Sequence, residues 1–214
     1  MDFLNPEIEE YAATHTSGES ELLQKVNRET HMKVLNPRML SGHLQGRFLA
    51  MISKMIEPRF VLEVGTYTGY SALCFLEGLR PDGELHTIDC DEELADRTAG
   101  YFDEAKGGNR IHPHLGEAKV ILNELSRPWD LVFLDADKEN YVHYYHQVID
   151  DLKVGGYLLA DNVLWSGKVL EKTDKGDADT AGLKAFNKLV QDDDRVENML
   201  LPLRDGLMMC RKVG

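Results

Sequence analysis

Short, nearly continuous apolar runs alternate with amphipathic stretches along the chain beyond residue 58. The runs predict strands and the stretches between them predict helices. The predicted strands span residues 60–64, 84–89, 111–115, 131–135 and 157–160, and the predicted helices span 70–79, 91–105, 117–125 and 140–152. Regular alternation of strand and helix predicts an α/β fold with a doubly wound, mostly parallel sheet and right-handed crossovers.

Both ends of the chain depart from this alternation. Residues 1–57 look helical, and Pro58 closes the last of these helices. At the other end, a polar loop over 173–180 and a helix over 181–190 precede two strand-like runs over 196–203 and 207–212. The connection Arg204-Asp205-Gly206 is so short that only an antiparallel hairpin fits. We therefore expect one domain over residues 1–214. It comprises an N-terminal helical addition (1–57) and an α/β core (58–214) with a seven-stranded sheet ending in the hairpin.

Composition and charge narrow the class of protein. The 214 residues are 43% hydrophobic, enough for a full core, and the net charge of −13 repels nucleic-acid phosphates and anionic membranes. Three widely spaced cysteines predict reduced thiols. The first residues show no basic signal-peptide region, and no run reaches the roughly 20 apolar residues of a membrane span. The expected protein is cytoplasmic and has neither nucleic acid nor membrane as a partner.

Acidic residues follow two of the predicted strands. The run 131–135 ends in Asp135, and the run 157–160 is followed by Asp161 and Asn162. Ligands of open α/β sheets bind beyond the carboxyl ends of the strands, so neighbouring strands would bring these three side chains together. Three hard oxygen donors are suited to Mg²⁺ or Ca²⁺. The pattern predicts an enzyme with a divalent cation.

A glycine loop follows the first predicted strand. Gly65 and Gly69 allow a tight strand-to-helix turn, for which a plain turn is the simplest explanation. Tyr67 stands where dinucleotide-binding loops carry their middle glycine, so a pyrophosphate fits poorly. Glu63 precedes the loop, and Asp89 ends the next strand, where a carboxylate is suited to a ribose diol. Together these features predict an adenosyl ligand without a pyrophosphate.

Three ordered segments carry a family resemblance: residues 62–71 (LEVGTYTGYS), 133–141 (FLDADKENY) and 161–167 (DNVLWSG). With them the sequence resembles the class I S-adenosylmethionine-dependent methyltransferases. More narrowly, it is similar to the cation-dependent O-methyltransferases that include caffeoyl-CoA and catechol O-methyltransferases. The similarity runs from about residue 39 to 211. It implies a Rossmann-like methyltransferase fold, S-adenosylmethionine as cofactor, a divalent cation (Mg²⁺ before Ca²⁺ or Mn²⁺), a small phenolic substrate and a homodimer.

The resemblance also implies roles for individual residues. The residues matching cofactor contacts are Ser41, Glu63, Gly65, Ser71, Asp89, Ala118 and Asp135. Those matching the metal ligands are Asp135, Asp161 and Asn162. Asp135 thus has both roles, because in this family it also lies near the amino group of the cofactor.

Three further residues match catalytic or substrate positions. Lys138 matches the general base, and its pKa should fall near a dication. Its alternative is a solvated lysine paired with Asp137 or Glu139. Trp165 matches a residue that lines the substrate pocket, although a tryptophan is more often part of the core. Asp137 remains open between an outer anchor of the site, a substrate contact and an exposed side chain.

The reaction implied is transfer of the sulfonium methyl group to a phenolic oxygen. A phenol of pKa near 10 is a poor nucleophile at neutral pH, whereas a cation favours the phenolate and chelates a vicinal diol. Residues 171–180 form a short acidic stretch where caffeoyl-CoA enzymes carry a longer segment rich in arginine and tyrosine. A catechol-type acceptor is therefore favoured, while Lys168 and Lys172 keep a CoA thioester open as the alternative.

Two other classes of protein stay open. A nicotinamide-dependent oxidoreductase is disfavoured by Tyr67 in the glycine loop. A non-catalytic protein that binds S-adenosylmethionine is disfavoured because Lys138 and all three predicted metal ligands are present.

Overall fold

The structure, a computed structural model, describes residues 5–214, with Pro6 described by its backbone alone. These residues form two compact units: an N-terminal unit of residues 6–118, and a C-terminal unit of residue 5 together with residues 119–214. The prediction of a single domain over 1–214 stays a prediction, and residues 1–4 of its helical addition lie outside the described residues.

The N-terminal unit begins with three helices and continues with a parallel sheet. The helices are α1 (Pro6–Thr14), α2 (Glu21–Lys33), α3 (Gly42–Ile56), α4 (Tyr70–Leu76) and α5 (Glu92–Glu104), and the strands are β1 (Phe60–Val64), β2 (Glu84–Asp89) and β3 (Ile111–Leu115). Strand β2 lies between β1 and β3 and is parallel to both. All three predicted strands are confirmed. Helix α4 ends earlier than predicted, where Gly78 packs so closely on α3 that a Cβ would lie 2.2 Å from the Lys54 nitrogen.

The C-terminal unit contains the other four strands. Its elements are α6 (Ala118–Glu124, whose first residue belongs to the N-terminal unit), β4 (Trp129–Leu134), α7 (Tyr141–Val148), β5 (Leu152–Asp161), α8 (Ala178–Asp192), β6 (Val196–Leu201) and β7 (Leu207–Lys212). Strands β4 and β5 are parallel. Strand β7 lies between β5 and β6 and is antiparallel to both. The predicted C-terminal hairpin is therefore confirmed.

Several predicted boundaries in the C-terminal unit are wrong. The sequence predicts a helix over 140–152, whereas α7 ends at Val148 and strand β5 already begins at Leu152. Gly155, with φ of 86°, interrupts the apolar pattern there and hides the first half of the strand. Helix α8 begins at Ala178 rather than 181, because Asp177 caps it by accepting a hydrogen bond from the Thr180 backbone N–H.

Burial on both faces of the central strands explains their apolar runs. Leu62 and Val64 in β1, and Val132 and Phe133 in β4, have no exposed surface. Within each unit, strand order and direction agree with the predicted doubly wound, mostly parallel sheet. None of the helices in residues 5–214 is long and apolar enough to cross a membrane. Two buried strand residues have acidic side chains, Glu63 in β1 and Asp161 at the end of β5, and both are among the predicted site residues.

Candidate active site

The loop after β1 is a tight turn built from left-handed residues. Gly65 and Gly69 have φ of 105° and 79°, and Tyr67 between them has φ of 47°. At Gly69 a Cβ would also lie 2.7 Å from the Phe102 ring, so both backbone conformation and packing require glycine. A left-handed conformation costs energy at Tyr67, which has a Cβ. The turn is therefore held by interactions with its surroundings.

A chain of hydroxyl groups surrounds the fully buried Glu63 carboxylate. Glu63 accepts hydrogen bonds from Ser71 Oγ at 2.5 Å and from Thr87 Oγ1. Thr66 and Thr87 hydroxyls are 2.5 Å apart, and Thr87 has already given its only proton to Glu63, so Thr66 donates. The network joins β1, β2, the glycine loop and α4. Ser71 and Glu63 were predicted, whereas Thr66 and Thr87 carried no motif that singled them out.

Asp89, the predicted ribose-binding acid, supports the glycine loop from the end of β2. Its Oδ2 accepts the Tyr67 backbone N–H at 2.7 Å, which stabilises the left-handed residue. Its Oδ1 accepts the Asp91 backbone N–H at 3.0 Å. A carboxylate offers about four acceptor positions, so Asp89 retains capacity for two ribose hydroxyls.

The remaining predicted cofactor contacts occupy element ends of the N-terminal unit. Ser41 is buried immediately before α3, where its side chain makes no capping hydrogen bond to the helix. Ala118 is half-buried and opens α6, two residues after Gly116, whose N–H donates to the Asp89 carbonyl at 2.8 Å. The cofactor roles of both residues stay predictions.

The predicted metal ligands meet at the carboxyl ends of β4 and β5. Leu134 and Ala160 are register partners on these parallel strands, so Asp135 and Asp161 follow at equivalent levels. Asp161 is 2% exposed and its Oδ1 accepts the Asn162 backbone N–H at 2.8 Å. Asn162 adopts φ of 62°, which turns the chain directly after the strand.

The donor set fits a hard divalent cation. Two carboxylates and one amide oxygen are ligands that Mg²⁺ accepts, and they leave further positions for water or substrate. In residues 5–214 no three His, Cys, Asp or Glu side chains are arranged to hold a metal. The predicted set has only two residues of those types, Asp135 and Asp161, so binding of the cation remains a prediction.

Lys138 is a buried member of this cluster. It is 7% exposed, and its Nζ lies 2.9 Å from Asp135 Oδ1 and 2.9 Å from the Tyr141 hydroxyl. The alternative of a solvated lysine paired with Asp137 or Glu139 is therefore wrong. Burial lowers the pKa of Lys138, but attraction to Asp135 and Tyr141 outweighs it and the pKa is raised. Without a cation Lys138 is thus an ammonium, and a lowered pKa in the cation-loaded site stays a prediction.

Asp137 and Trp165 differ in how their surroundings hold them. Asp137 is exposed and accepts hydrogen bonds from the Tyr144 hydroxyl at 2.6 Å and from the Asn140 side-chain amide. It therefore anchors the start of α7.

Trp165 is half-buried in a left-handed turn with Ser166, and its buried Nε1 has no hydrogen-bond partner within the described residues. Substrate contact by either residue stays a prediction.

The sequence matches known O-methyltransferases over nearly its full length. The profile of the O-methyltransferase family matches residues 13–213. Caffeoyl-CoA O-methyltransferase from Populus kitakamiensis is 33% identical, with 95% of this chain and 91% of the relative covered. The enzyme of the same name from Petroselinum crispum is 32% identical, with 79% and 75% covered. These matches count against the nicotinamide-dependent oxidoreductase.

Solved structures show the same fold over nearly the whole chain. One is the O-methyltransferase TomG from Streptomyces achromogenes, which is involved in tomaymycin synthesis and was solved with S-adenosylmethionine (SAM). Its TM-score is 0.90 and its identity is 27%, with 97% of this chain and 96% of TomG covered. The Bacillus cereus O-methyltransferase, solved with S-adenosylhomocysteine (SAH), has a TM-score of 0.89 and 26% identity, with 96% and 97% covered. The predicted fold class is confirmed, and the chain belongs to the O-methyltransferase family.

Proposed function

We propose that this enzyme transfers the methyl group of SAM to one hydroxyl of a small catechol-type phenol. Residues Asp135, Asp161 and Asn162 hold a divalent cation, and Lys138 is the general base. The observation that carries the proposal is the cluster at the ends of β4 and β5, where Lys138 Nζ is buried 2.9 Å from Asp135 Oδ1. Ligands of open α/β sheets bind beyond the carboxyl ends of the strands, so a buried lysine–aspartate pair at this position is a candidate for a functional site.

All of the proposed cofactor contacts except Asp135 lie in the N-terminal unit. Asp89 accepts the ribose hydroxyls while Tyr67 N–H keeps its carboxylate oriented. Glu63, held by Ser71 and Thr87, orients the glycine loop and the start of α4 toward the methionine part. TomG and the Bacillus cereus enzyme, which share the fold, were solved with SAM and SAH, which supports this cofactor.

The chain's own residues handle the proton of the acceptor. A cation held by Asp135, Asp161 and Asn162 would supply the Lewis acidity that favours the phenolate form of the acceptor. Lys138 Nζ is held in place by Asp135 and Tyr141. Additional positive charge lowers the pKa of a lysine, so the loaded site makes Lys138 a better base at neutral pH.

The acidic loop before α8 favours a small acceptor. Its flanking lysines are already engaged: Lys168 Nζ lies 3.6 Å from Asp177 Oδ2, and Lys184 Nζ donates to the Glu171 carbonyl. Within residues 171–180, four carboxylates outnumber the two exposed lysines, Lys172 and Lys175, so the net negative charge disfavours the phosphates of a CoA ester. The alternative acceptor is a CoA thioester, which the names of the Populus and Petroselinum relatives support.

The decisive experiment is methyl transfer to catechol, caffeate and caffeoyl-CoA, with Mg²⁺ and with a chelator. We expect cation-dependent methylation, with the free catechols having the higher kcat/KM. Turnover that persists in chelator would contradict the cation mechanism, and a higher kcat/KM for caffeoyl-CoA would establish the thioester alternative. Full activity of Lys138→Ala would exclude Lys138 as the base.

Assembly and location are proposed from the sequence and the resemblance. We expect a homodimer in the cytoplasm. Sedimentation equilibrium distinguishes the dimer from a monomer.

A further inference from the structure

Tyr141 opens α7 with a side chain that is completely buried. Its ring packs edge-on against Phe186, with the ring centroids 5.4 Å apart. Its hydroxyl lies 2.9 Å from Lys138 Nζ, 3.1 Å from the Leu134 carbonyl oxygen and 3.0 Å from the Asp161 carbonyl oxygen. One hydroxyl thus contacts the ends of two strands and the proposed base.

The donors and acceptors of this cluster are well matched. A phenolic hydroxyl donates one hydrogen bond and accepts others. The Lys138 ammonium donates to Tyr141, so the tyrosine proton points to the carbonyl of Leu134 or Asp161. The ordinary pKa of a tyrosine hydroxyl is near 10, so the hydroxyl keeps its proton at neutral pH. It is therefore a permanent donor to the strand ends.

The hydroxyl's partners are covalent neighbours of the proposed ligands. Leu134 immediately precedes Asp135, and Asp161 is both a hydrogen-bond partner and a ligand that precedes Asn162. Displacement of either strand end would shift a ligand. Groups that orient metal ligands from outside the coordination shell commonly determine metal affinity as strongly as some ligands do.

We propose that Tyr141 is a positioning residue, whose hydroxyl sets the spacing of the β4 and β5 ends and holds Lys138 Nζ against Asp135. This inference rests on the proposed cation site. Without the hydroxyl, Lys138 loses its contact with Tyr141 and keeps the one with Asp135. The Leu134 and Asp161 carbonyls lose the donor that they share.

Helix α7 supplies a matched control for a purely structural role. Tyr145 is also fully buried and also packs edge-on against Phe186, with centroids 6.1 Å apart. Its hydroxyl donates to Asp193 Oδ2 at 2.9 Å, away from the proposed ligands. Tyr145→Phe therefore removes a partly buried hydrogen bond from the same helix without removing any contact to the proposed ligands or to Lys138.

The test compares wild-type protein, Tyr141→Phe and Tyr145→Phe as full chains. Mn²⁺ binding is measured from the electron paramagnetic resonance signal of free Mn²⁺, SAM binding by calorimetry, and kcat by methyl transfer to catechol. For Tyr141→Phe we expect Mn²⁺ affinity and kcat each to fall about 10-fold while SAM affinity is unchanged. For Tyr145→Phe we expect Mn²⁺ affinity, SAM affinity and kcat to equal those of the wild type. The melting temperature should fall in both variants, because each loses a hydrogen bond.

The outcomes separate this inference from the proposed function. Wild-type protein that binds no Mn²⁺ overturns both. Wild-type protein that binds Mn²⁺, with Tyr141→Phe equal to it in affinity and kcat, overturns only the role of Tyr141. The same losses in Tyr145→Phe as in Tyr141→Phe would reduce Tyr141 to a stabilising residue of the helix.

Discussion

Lys138→Met removes the positive charge beside Asp135 and keeps a side chain of similar length. The lysine and aspartate side chains are 9% and 19% exposed, and the charged atoms are 2.9 Å apart. At an effective dielectric constant of about 20, this separation corresponds to an attraction of roughly 6 kcal/mol, from which the cost of burying the lysine must be subtracted. The change leaves the Asp135 charge without this partner.

The expected loss of stability depends on the cation. Removing one partner of a fully buried ion pair costs about 3–5 kcal/mol, and because Asp135 is partly exposed we expect about 2 kcal/mol in chelator. A bound dication provides Asp135 with a new counter-charge and stabilises only the folded state. In saturating Mg²⁺ the loss should therefore shrink to less than about 1 kcal/mol. Turnover should fall by about 100-fold or more, since the general base is gone.

Urea unfolding followed by circular dichroism measures the free energy of unfolding in chelator and in excess Mg²⁺. Lys153→Met is the matched control, because Lys153 Nζ lies 2.6 Å from Asp130 Oδ1 and Asp130 is as exposed, at 20%, as Asp135. This more exposed pair should cost about 0.5 kcal/mol in either buffer. An equal loss for Lys138→Met in both buffers would show that Asp135 binds no cation. Unchanged turnover would refute the lysine as base.

Three further predictions address other parts of the site and fold. Asp89→Ala removes the acceptor of the Tyr67 N–H and the proposed ribose contact, so SAM affinity in calorimetry should fall at least about 10-fold; unchanged affinity would contradict the assignment. Asn162→Ala keeps a Cβ at φ of 62°, whereas Asn162→Gly removes it, so the alanine variant should be about 1 kcal/mol less stable to urea than the glycine variant. Both variants lose the amide oxygen and should need more Mg²⁺ to reach full activity; equal stability of the two in urea would contradict the argument. Burial lowers the pKa of His86 and of His114, whose ring nitrogens are 3.0 Å apart, so the unfolded chain takes up protons first as pH falls below about 6.5. The free energy of unfolding in urea should therefore be highest above that pH and fall below it, and the fall should be smaller in His86→Gln. A wild-type free energy that does not fall as the pH drops below about 6.5 would contradict the argument.

The strands and the acids that follow them could be predicted from local pattern. Strands β1, β2 and β3 have the predicted bounds because strands buried on both faces need continuous apolar runs, interrupted only where polar or glycine residues begin. The same logic identified Asp135 and Asp161 at adjacent strand ends. It failed at β5, where Val154 is 69% exposed and Gly155 breaks the pattern, so an outer half-strand resembled a loop.

The sequence by itself determined the order of elements, the hairpin and the identity of the chemistry-bearing residues, because these depend on periodicity and on short motifs. Only the tertiary structure decided how those residues are held. Thr87 reaches Glu63 across 24 residues, and the Tyr141 hydroxyl reaches Asp161 across 20. It also decided that Lys138 is buried against Asp135 instead of solvated, and that Asp137 anchors α7. Hydrogen-bond partners of this kind are chosen by strand register and helix packing, which bring together residues that no local spacing relates.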